Sequence, residues 1–169
     1  MSDYPKHSNQ SNQPIQYCSL NELVKDYFDN IDEIQQKYMA ILSNLSTVEE
    51  ISVNKFIENI VEISKNGIIM IGYIGNPVSS ANFEIVCTGT LFLEVKLSHG
   101  GRPVGHIEDI IVHPNYRGKN LSFFIINKLV SWAIFKKCYK IILQCKPELC
   151  HIYERNGFET KGVEMVYRI

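Results

Sequence analysis

Apolar positions along this chain switch period, and each switch marks a predicted element. Residues 1–16 are rich in Ser, Asn, Gln and Pro without aliphatic periodicity, which predicts a disordered polar tail. Residues 23–28 fit a strand or a helix. Ile34, Tyr38, Ile41, Leu42 and Leu45 then recur at helical spacing, in a helix opened by Asp32 with Gln35 three positions on as capping partner. Ser46-Thr47-Val48 breaks it. Ser52 caps a second helix with Phe56, Ile57, Ile60, Val61 and Ser64 on one side, and Asn66-Gly67 ends it by supplying a left-handed residue.

From residue 68 the period shortens. Residues 68–74 and 84–97 read as strands around the turn chemistry of GNPVSSANF, and SHGGRP turns the second back into 104–112 as a hairpin. A long amphipathic helix follows, with Leu121, Phe124, Ile125, Leu129, Trp132 and Ala133 on one face. After it come a strand at 139–145, a short helix at 149–156 stopped by Gly157, and a last strand at 163–169. Hairpins first, then strands alternating with helices, predict an α/β fold on a mixed, mostly antiparallel sheet flanked by helices.

Residues 106–122, HIEDIIVHPNYRGKNLS, carry the chemistry. An apolar strand with the adjacent acids Glu108 and Asp109 leads through a proline turn to a basic loop that opens the long helix. Backbone N–H groups left over at a helix N-terminus form an anion site. Arg117 and Lys119 add positive charge there, and Gly118 lets a ligand oxygen approach the backbone. The expectation is a strand ending in carboxylates beside a site for a phosphorylated ligand.

The strand, Arg-Gly-x-x-Leu-small loop and helix resemble the acetyl-CoA-binding core of the GNAT superfamily of N-acetyltransferases. More narrowly, HIEDI followed by RGKNL, CYKIILQC, YERNGF and GVEM resembles the glucosamine-6-phosphate N-acetyltransferase family, densely from Lys96 onward and thinly before Leu45. The resemblance implies a GNAT-type acyl-CoA N-acyltransferase fold in one domain over 17–169, with 23–28 as its first strand. It implies acetyl-CoA as co-substrate, held by Ile110, Ile111 and Val112, by the loop Arg117, Gly118, Lys119, Asn120, Leu121 and Ser122, and by Tyr153 and Arg155. It implies an amino-sugar phosphate as acceptor, with Ser46, Lys96, His99, Glu108, Asp109, Ile110, Tyr139, Lys140, Gln144 and Arg168 at substrate positions. Tyr153 matches the family tyrosine beside the thioester sulfur, and with Glu108 and Asp109 it makes the catalytic set. Family members of this kind are dimers with sugar sites near the subunit interface, so a homodimer is implied too.

Four positions depart from the family pattern. Asn120 and Ser122 stand where the superfamily loop has glycine, Gln144 stands where these sugar enzymes carry an acid, and Leu149 replaces an asparagine. Asn tolerates left-handed backbone and Ser is small, so the loop is expected to keep its ligand. One further constraint comes from the strand itself. Consecutive residues point to opposite faces, so Glu108 and Asp109 share a pocket only if a bulge breaks the alternation.

Composition narrows the remaining classes. A length of 169 residues suits one domain with a proper core, and 45% apolar with 21% charged content is that of a globular protein. A net charge of −1 argues against nucleic-acid binding. No apolar run reaches the ~18 residues of a membrane span, and the N-terminal MSDYPKHSNQSNQP lacks the order of a signal peptide. Five cysteines without a Cys-x-x-Cys suggest a reducing cytosol. Cys145, Cys150 and His151 lack a fourth ligand, so no metal is expected. Two rivals stay open: a GNAT acting on another small amine or a peptide, and a degenerate acyl-CoA-binding module. The second cationic cluster speaks against the first, and Tyr153 against the second.

Overall fold

The computed structural model describes residues 13–79 and 81–167, so most of the predicted tail, Ser80, Arg168 and Ile169 lie outside the described residues. Five strands form one sheet in the order β1 (Gln16–Ser19), β2 (Gly67–Ile74), β3 (Glu84–Glu94), β4 (Val104–Val112) and β5 (Lys140–Leu143). The first three pairings are antiparallel and β4 pairs β5 in parallel, the mixed sheet that the hydrophobic pattern predicts. Helices α1 (Leu20–Asp26), α2 (Ile31–Leu42) and α3 (Val53–Asn66) pack with Ile69, Ile71 and Ile85 on one face. On the other face α4 (Leu121–Phe135) and α5 (Cys150–Glu154) pack with Val86, Cys87 and Leu91. Leu121, Ile125, Ile126, Leu129 and Ala133 are buried under α4, each large aliphatic one contributing about 1.5–3 kcal/mol of burial.

Several boundaries differ from the sequence reading, each for a local reason. Residues 23–28 are not the first strand. The Ser19 hydroxyl accepts from the Glu22 N–H at 3.1 Å while the Ser19 N–H donates to Glu22 Oε2 at 2.9 Å. That reciprocal cap starts α1 at Leu20, and the first strand lies before it at Gln16–Ser19. Helix α2 begins at Ile31, after a 3₁₀ turn at Phe28–Asn30, and Gln35 does not cap it. The Gln35 amide instead donates to the Ile51 carbonyl at 2.7 Å. Ser52 does cap α3, but Val61 is half exposed and Gly67 is extended backbone opening β2, not a left-handed stop.

Two departures matter for the site. Phe124, expected on the buried face of α4, is 50% exposed, while Ile126 is buried. The helix is apolar on nearly every side, so periodicity alone does not choose its inner face. The predicted strand at 163–169 is absent over its described part: Val163, Met165 and Tyr167 are 92%, 93% and 91% exposed in irregular chain. Its alternating pattern is genuine, but pattern alone does not dock a segment on a sheet edge, and the outer edge of β5 stays unpaired among the described residues.

Candidate active site

Strands β4 and β5 pair only from Val104↔Lys140 to Ile107↔Leu143, where β5 stops. β4 runs on to Val112, so the β5 side of residues 108–112 has no strand partner among the described residues. This opening, with the start of α4 and the whole of α5 beside it, is where most of the sequence-predicted site residues meet. A separate surface depression of about 170 Å³, lined by Ser19, Ile60, Ser64 and Trp132, contains no titratable group.

The acid pair sits on the bulge that its placement requires. The β3–β4 register steps from Thr88↔Ile111 to Thr90↔Glu108, so β4 carries one residue more than β3 across Gly89. Asp109 absorbs that residue with a left-handed φ of 52°. Ile107 and Ile110, three apart, both pack on the α4 side, which strict alternation forbids. Glu108 and Asp109 are left together away from it. A Cβ on Gly89 would lie 2.4 Å from Ile110 Cδ1, so glycine is what lets the bulged strand seat there. Loss of water and mutual repulsion push the Glu108 carboxyl above its ordinary range, and loss of water does the same for Asp109. Asp109 also lies near enough to the buried Tyr38 hydroxyl to oppose its ionisation; burial, the larger cause, takes that phenol up to about 12.

The basic loop is held in shape from below. The Tyr116 hydroxyl donates to Glu84 Oε2 at 2.7 Å, and Arg117 Nε donates to the Val112 carbonyl at 3.4 Å. Gly118 has a φ of 78° with open space around its Cβ position, and Asn120 a φ of 58°. An N-cap asparagine ordinarily satisfies the first-turn N–H groups with its side chain. Here the Asn120 side chain makes no cap; its Oδ1 accepts from Arg155 Nη2 at 3.3 Å. The first N–H groups of α4 therefore receive no side-chain cap from Asn120, as an anion site requires.

Helix α5 brings the phenol to the same end. Asn156 Nδ2 donates to the Phe123 carbonyl at 3.2 Å and the Arg155 guanidinium lies 5.8 Å from the Phe123 ring centre, tying α5 to the first turn of α4. Asn156 was not singled out by sequence. Its Oδ1 is buried without a partner among the described residues, a signal only the fold supplies. Tyr153 is half-buried, edge-on to Phe158 with centroids 6.3 Å apart. Burial, with a smaller push from Cys145, raises its pKa, so the phenol stays protonated at neutral pH and is available as a donor.

The cationic positions gather elsewhere. His99 stacks on Tyr139 at 4.0 Å between centroids, and Lys140 and Arg102 lie 5.7 and 6.0 Å from the Tyr139 ring centre. Arg102 was read only as a turn residue; its position on the hairpin that delivers His99 is the signal for it. Lys96 is paired with Glu94, which also contacts His106 Nε2 at 2.9 Å. The Tyr139 group sits at the Val104 end of the strand, its backbone about 13 Å from that of Glu108 at ~3.3 Å per residue. Ser46 is exposed in the turn after α2, and Gln144 is exposed just past β5; no hydrogen bond joins either to the acid pair. Arg168 lies outside the described residues.

A parted parallel strand pair, a bulge and an anion loop at one place agree with the sequence model of the acetyltransferase (GNAT) family, which matches residues 30–158. The chain belongs to that family. Its relatives include the glucosamine 6-phosphate N-acetyltransferase of Candida albicans, 38% identical over 138 residues, 82% of this chain and 91% of the relative. The glucosamine 6-phosphate N-acetyltransferase 1 of Dictyostelium discoideum is 37% identical over 136 residues, 80% of this chain and 85% of its own length. Among solved structures, glucosamine-6-phosphate N-acetyltransferase from Arabidopsis thaliana superposes with a TM-score of 0.75 at 23% identity, over 92% of this chain and 99% of that one. As a GNAT acetyltransferase the chain is an acyltransferase with acetyl-CoA as its donor. Among the described residues no group of three or more His, Cys, Asp or Glu side chains could hold a metal, and no helix is long and apolar enough to cross a membrane.

Proposed function

We propose that this protein transfers the acetyl group of acetyl-CoA to the amine of D-glucosamine 6-phosphate, giving the N-acetylated sugar phosphate that feeds UDP-N-acetylglucosamine synthesis. The observation that carries this is the gap where β4 and β5 part, with an anion loop and a protonated phenol on the α4 side of it and an acid pair on a bulge of β4 at its edge. Kinship with enzymes of that name in two distant organisms supports the substrate.

The chemistry divides among those groups. Arg117, Gly118 and the N-terminal amides of α4 hold the pyrophosphate, and the free β4 edge at Ile110, Ile111 and Val112 aligns the pantetheine arm. Glu108 and Asp109 bind the ammonium end of the sugar. Their raised pKa values bring them closer to neutrality than ordinary carboxylates, which helps them take the proton the amine sheds. The amine nitrogen bonds to the thioester carbon, the C–S bond breaks, and the departing thiolate takes its proton from Tyr153. In-line positioning alone is worth roughly 7–11 kcal/mol, so no covalent intermediate on the protein is needed.

The working unit in this reading is a homodimer. Within one chain the cluster of His99, Arg102, Tyr139 and Lys140 flanks the Val104 end of β4, four residues along the strand from Glu108. Residues 163–167 present an exposed alternating segment, and β5 has no outer neighbour among the described residues. A second copy would bring a cationic cluster to each acid pair and cover that segment. Single-domain organisation over 17–169 and a cytosolic site of action belong to the same reading, the latter supported by five cysteines as free thiols.

The test is consumption of acetyl-CoA with a panel of amines. Glucosamine 6-phosphate should be turned over far faster than unphosphorylated glucosamine or a peptide amine. Equal rates with and without the phosphate, or preference for the peptide, would replace this reading by that of a GNAT enzyme with another acceptor.

A further inference from the structure

Cys145 and Cys150 carry no step of the chemistry above, where Cys145 adds only a small push to the Tyr153 pKa; their sulfurs are 3.9 Å apart, in S–H···S contact. Cys145 is exposed just past β5, and Cys150 is the first residue of α5. Between them Lys146-Pro147-Glu148-Leu149 folds back through a 3₁₀ turn at Pro147–Leu149, closed by the Leu149 N–H on the Lys146 carbonyl at 2.9 Å. No other two of the five thiols are in such contact, and Cys87 is fully buried. The placement matters because α5 is a single short helix. Tyr153 stands three residues after Cys150, one turn on and on the same side, and α5 rests on the start of α4 through Asn156 and Arg155.

We propose that this dithiol is a modification site: exchange with a low-molecular-weight disulfide of the glutathione type closes a Cys145–Cys150 disulfide, and the closed form transfers acetyl groups slowly. The inhibitory half rests on the reading of Tyr153 as the donor at the thioester sulfur. In the first step the Cys145 sulfur, losing its proton, bonds to one sulfur of the small disulfide, whose S–S bond breaks; one thiol leaves with that proton. The Cys150 sulfur then bonds to Cys145 and expels the second thiol, which takes the proton from Cys150. Two protein thiols are oxidised by two electrons, and one small disulfide is reduced to two thiols.

Bonded sulfurs stand at about 2.05 Å, so the pair must close from its 3.9 Å separation. Exposed Cys145 turns to meet Cys150, and α5, carrying Cys150, moves with the remainder. A displacement of about 1 Å at a positioned group costs on the order of 10²-fold in rate. Loss of water around the sulfur, the hydrogen bond and charge of Cys150, and the carboxylates of Glu148 and Glu154 push the Cys145 thiol above its ordinary range. Little thiolate is present at neutral pH, so exchange is slow. The site therefore follows the standing thiol-to-disulfide ratio rather than a brief pulse of oxidant.

The experiment equilibrates the full chain in glutathione buffers of increasing oxidised fraction. It maps cross-linked peptides by mass spectrometry and measures acetyl transfer to glucosamine 6-phosphate on the same samples. The parent should gain a peptide linking residues 145 and 150 and lose at least ten-fold in turnover in step with it, both reversed by dithiothreitol. Cys145→Ser should keep the parent's reduced activity and hold it in oxidising buffer; Cys150→Ser should stop at the glutathione adduct on Cys145. Absence of the 145–150 link at every ratio, a link without loss of turnover, or equal inhibition of Cys145→Ser overturns the proposal. A reduced parent that does not acetylate the sugar phosphate overturns the function proposed above, and with it the inhibitory half. A reduced parent that is active and indifferent to the link overturns this proposal alone.

Discussion

Tyr153→Phe isolates the step on which the chemistry turns. The substitution removes one oxygen and leaves the ring, so the edge-on contact with Phe158 at 6.3 Å and the packing against the α4 cluster remain. The hydroxyl has no hydrogen-bond partner among the described residues, so its removal strands no buried donor or acceptor. Stability should change by less than about 0.5 kcal/mol. Acetyl-CoA affinity should hold as well, because the anion loop is untouched. What disappears is a protonated donor in a partly desolvated place. Losing one donor aimed at developing charge typically costs about 2.7–4 kcal/mol, a drop of roughly 10²–10³ in turnover. The assay follows loss of thioester absorbance at saturating sugar phosphate, with single-turnover traces to show that chemistry limits the rate. If the variant keeps more than a third of the parental single-turnover rate, Tyr153 is a packing residue and the thiolate takes its proton from water.

Other perturbations probe the remaining parts. Arg117→Ala should weaken acetyl-CoA binding by roughly 0.2–1 kcal/mol, up to about five-fold, since its charge is exposed; calorimetry should find the difference at low salt and lose it at high salt. Asp109→Asn keeps a residue suited to left-handed backbone and removes a carboxyl whose folded pKa is raised. A raised carboxyl binds its proton more tightly in the folded chain, so its charge costs stability above the ordinary carboxylate range and nothing below it. The variant should melt at or above the parent at neutral pH, converge with it in acid, and turn over more slowly; a lower melting point at pH 7 would contradict the sign. Glu94→Gln releases Lys96 from its pairing. The Michaelis constant for the phosphosugar should fall while that for acetyl-CoA stays put, and an unchanged pair of constants would remove Lys96 from the phosphate site.

How much of this was legible in the sequence differs from element to element. The sheet's mixed character and the loop at 117–122 follow from local pattern, because turns, glycines and charges act over a few residues. The acid pair was half legible. Alternation put Glu108 and Asp109 on opposite faces and named a bulge as the only remedy, but the bulge depends on Gly89 of the neighbouring strand making room for Ile110. The inner face of α4 was not legible, since Phe124 and Ile126 are equally apolar and only docking on the sheet separates them. Residues 23–28 fit strand and helix alike and are the first strand only by the resemblance; the Ser19–Glu22 capping box decides for helix. The segment at 163–167 has a strand's pattern without a strand, because pairing needs an edge the pattern does not specify. Arg102 and Asn156 acquire roles only through partners distant in the chain.

The central claim is that an acetyl group moves from sulfur to the nitrogen of an amino-sugar phosphate. Incubation of the protein with acetyl-CoA labelled at the carbonyl carbon and with ¹⁵N-glucosamine 6-phosphate tests it directly by NMR. The account predicts a single product whose labelled carbonyl couples to the sugar nitrogen, formed one for one with free coenzyme A. Free coenzyme A accompanied by labelled acetate, or an acetyl ester without nitrogen coupling, would contradict it.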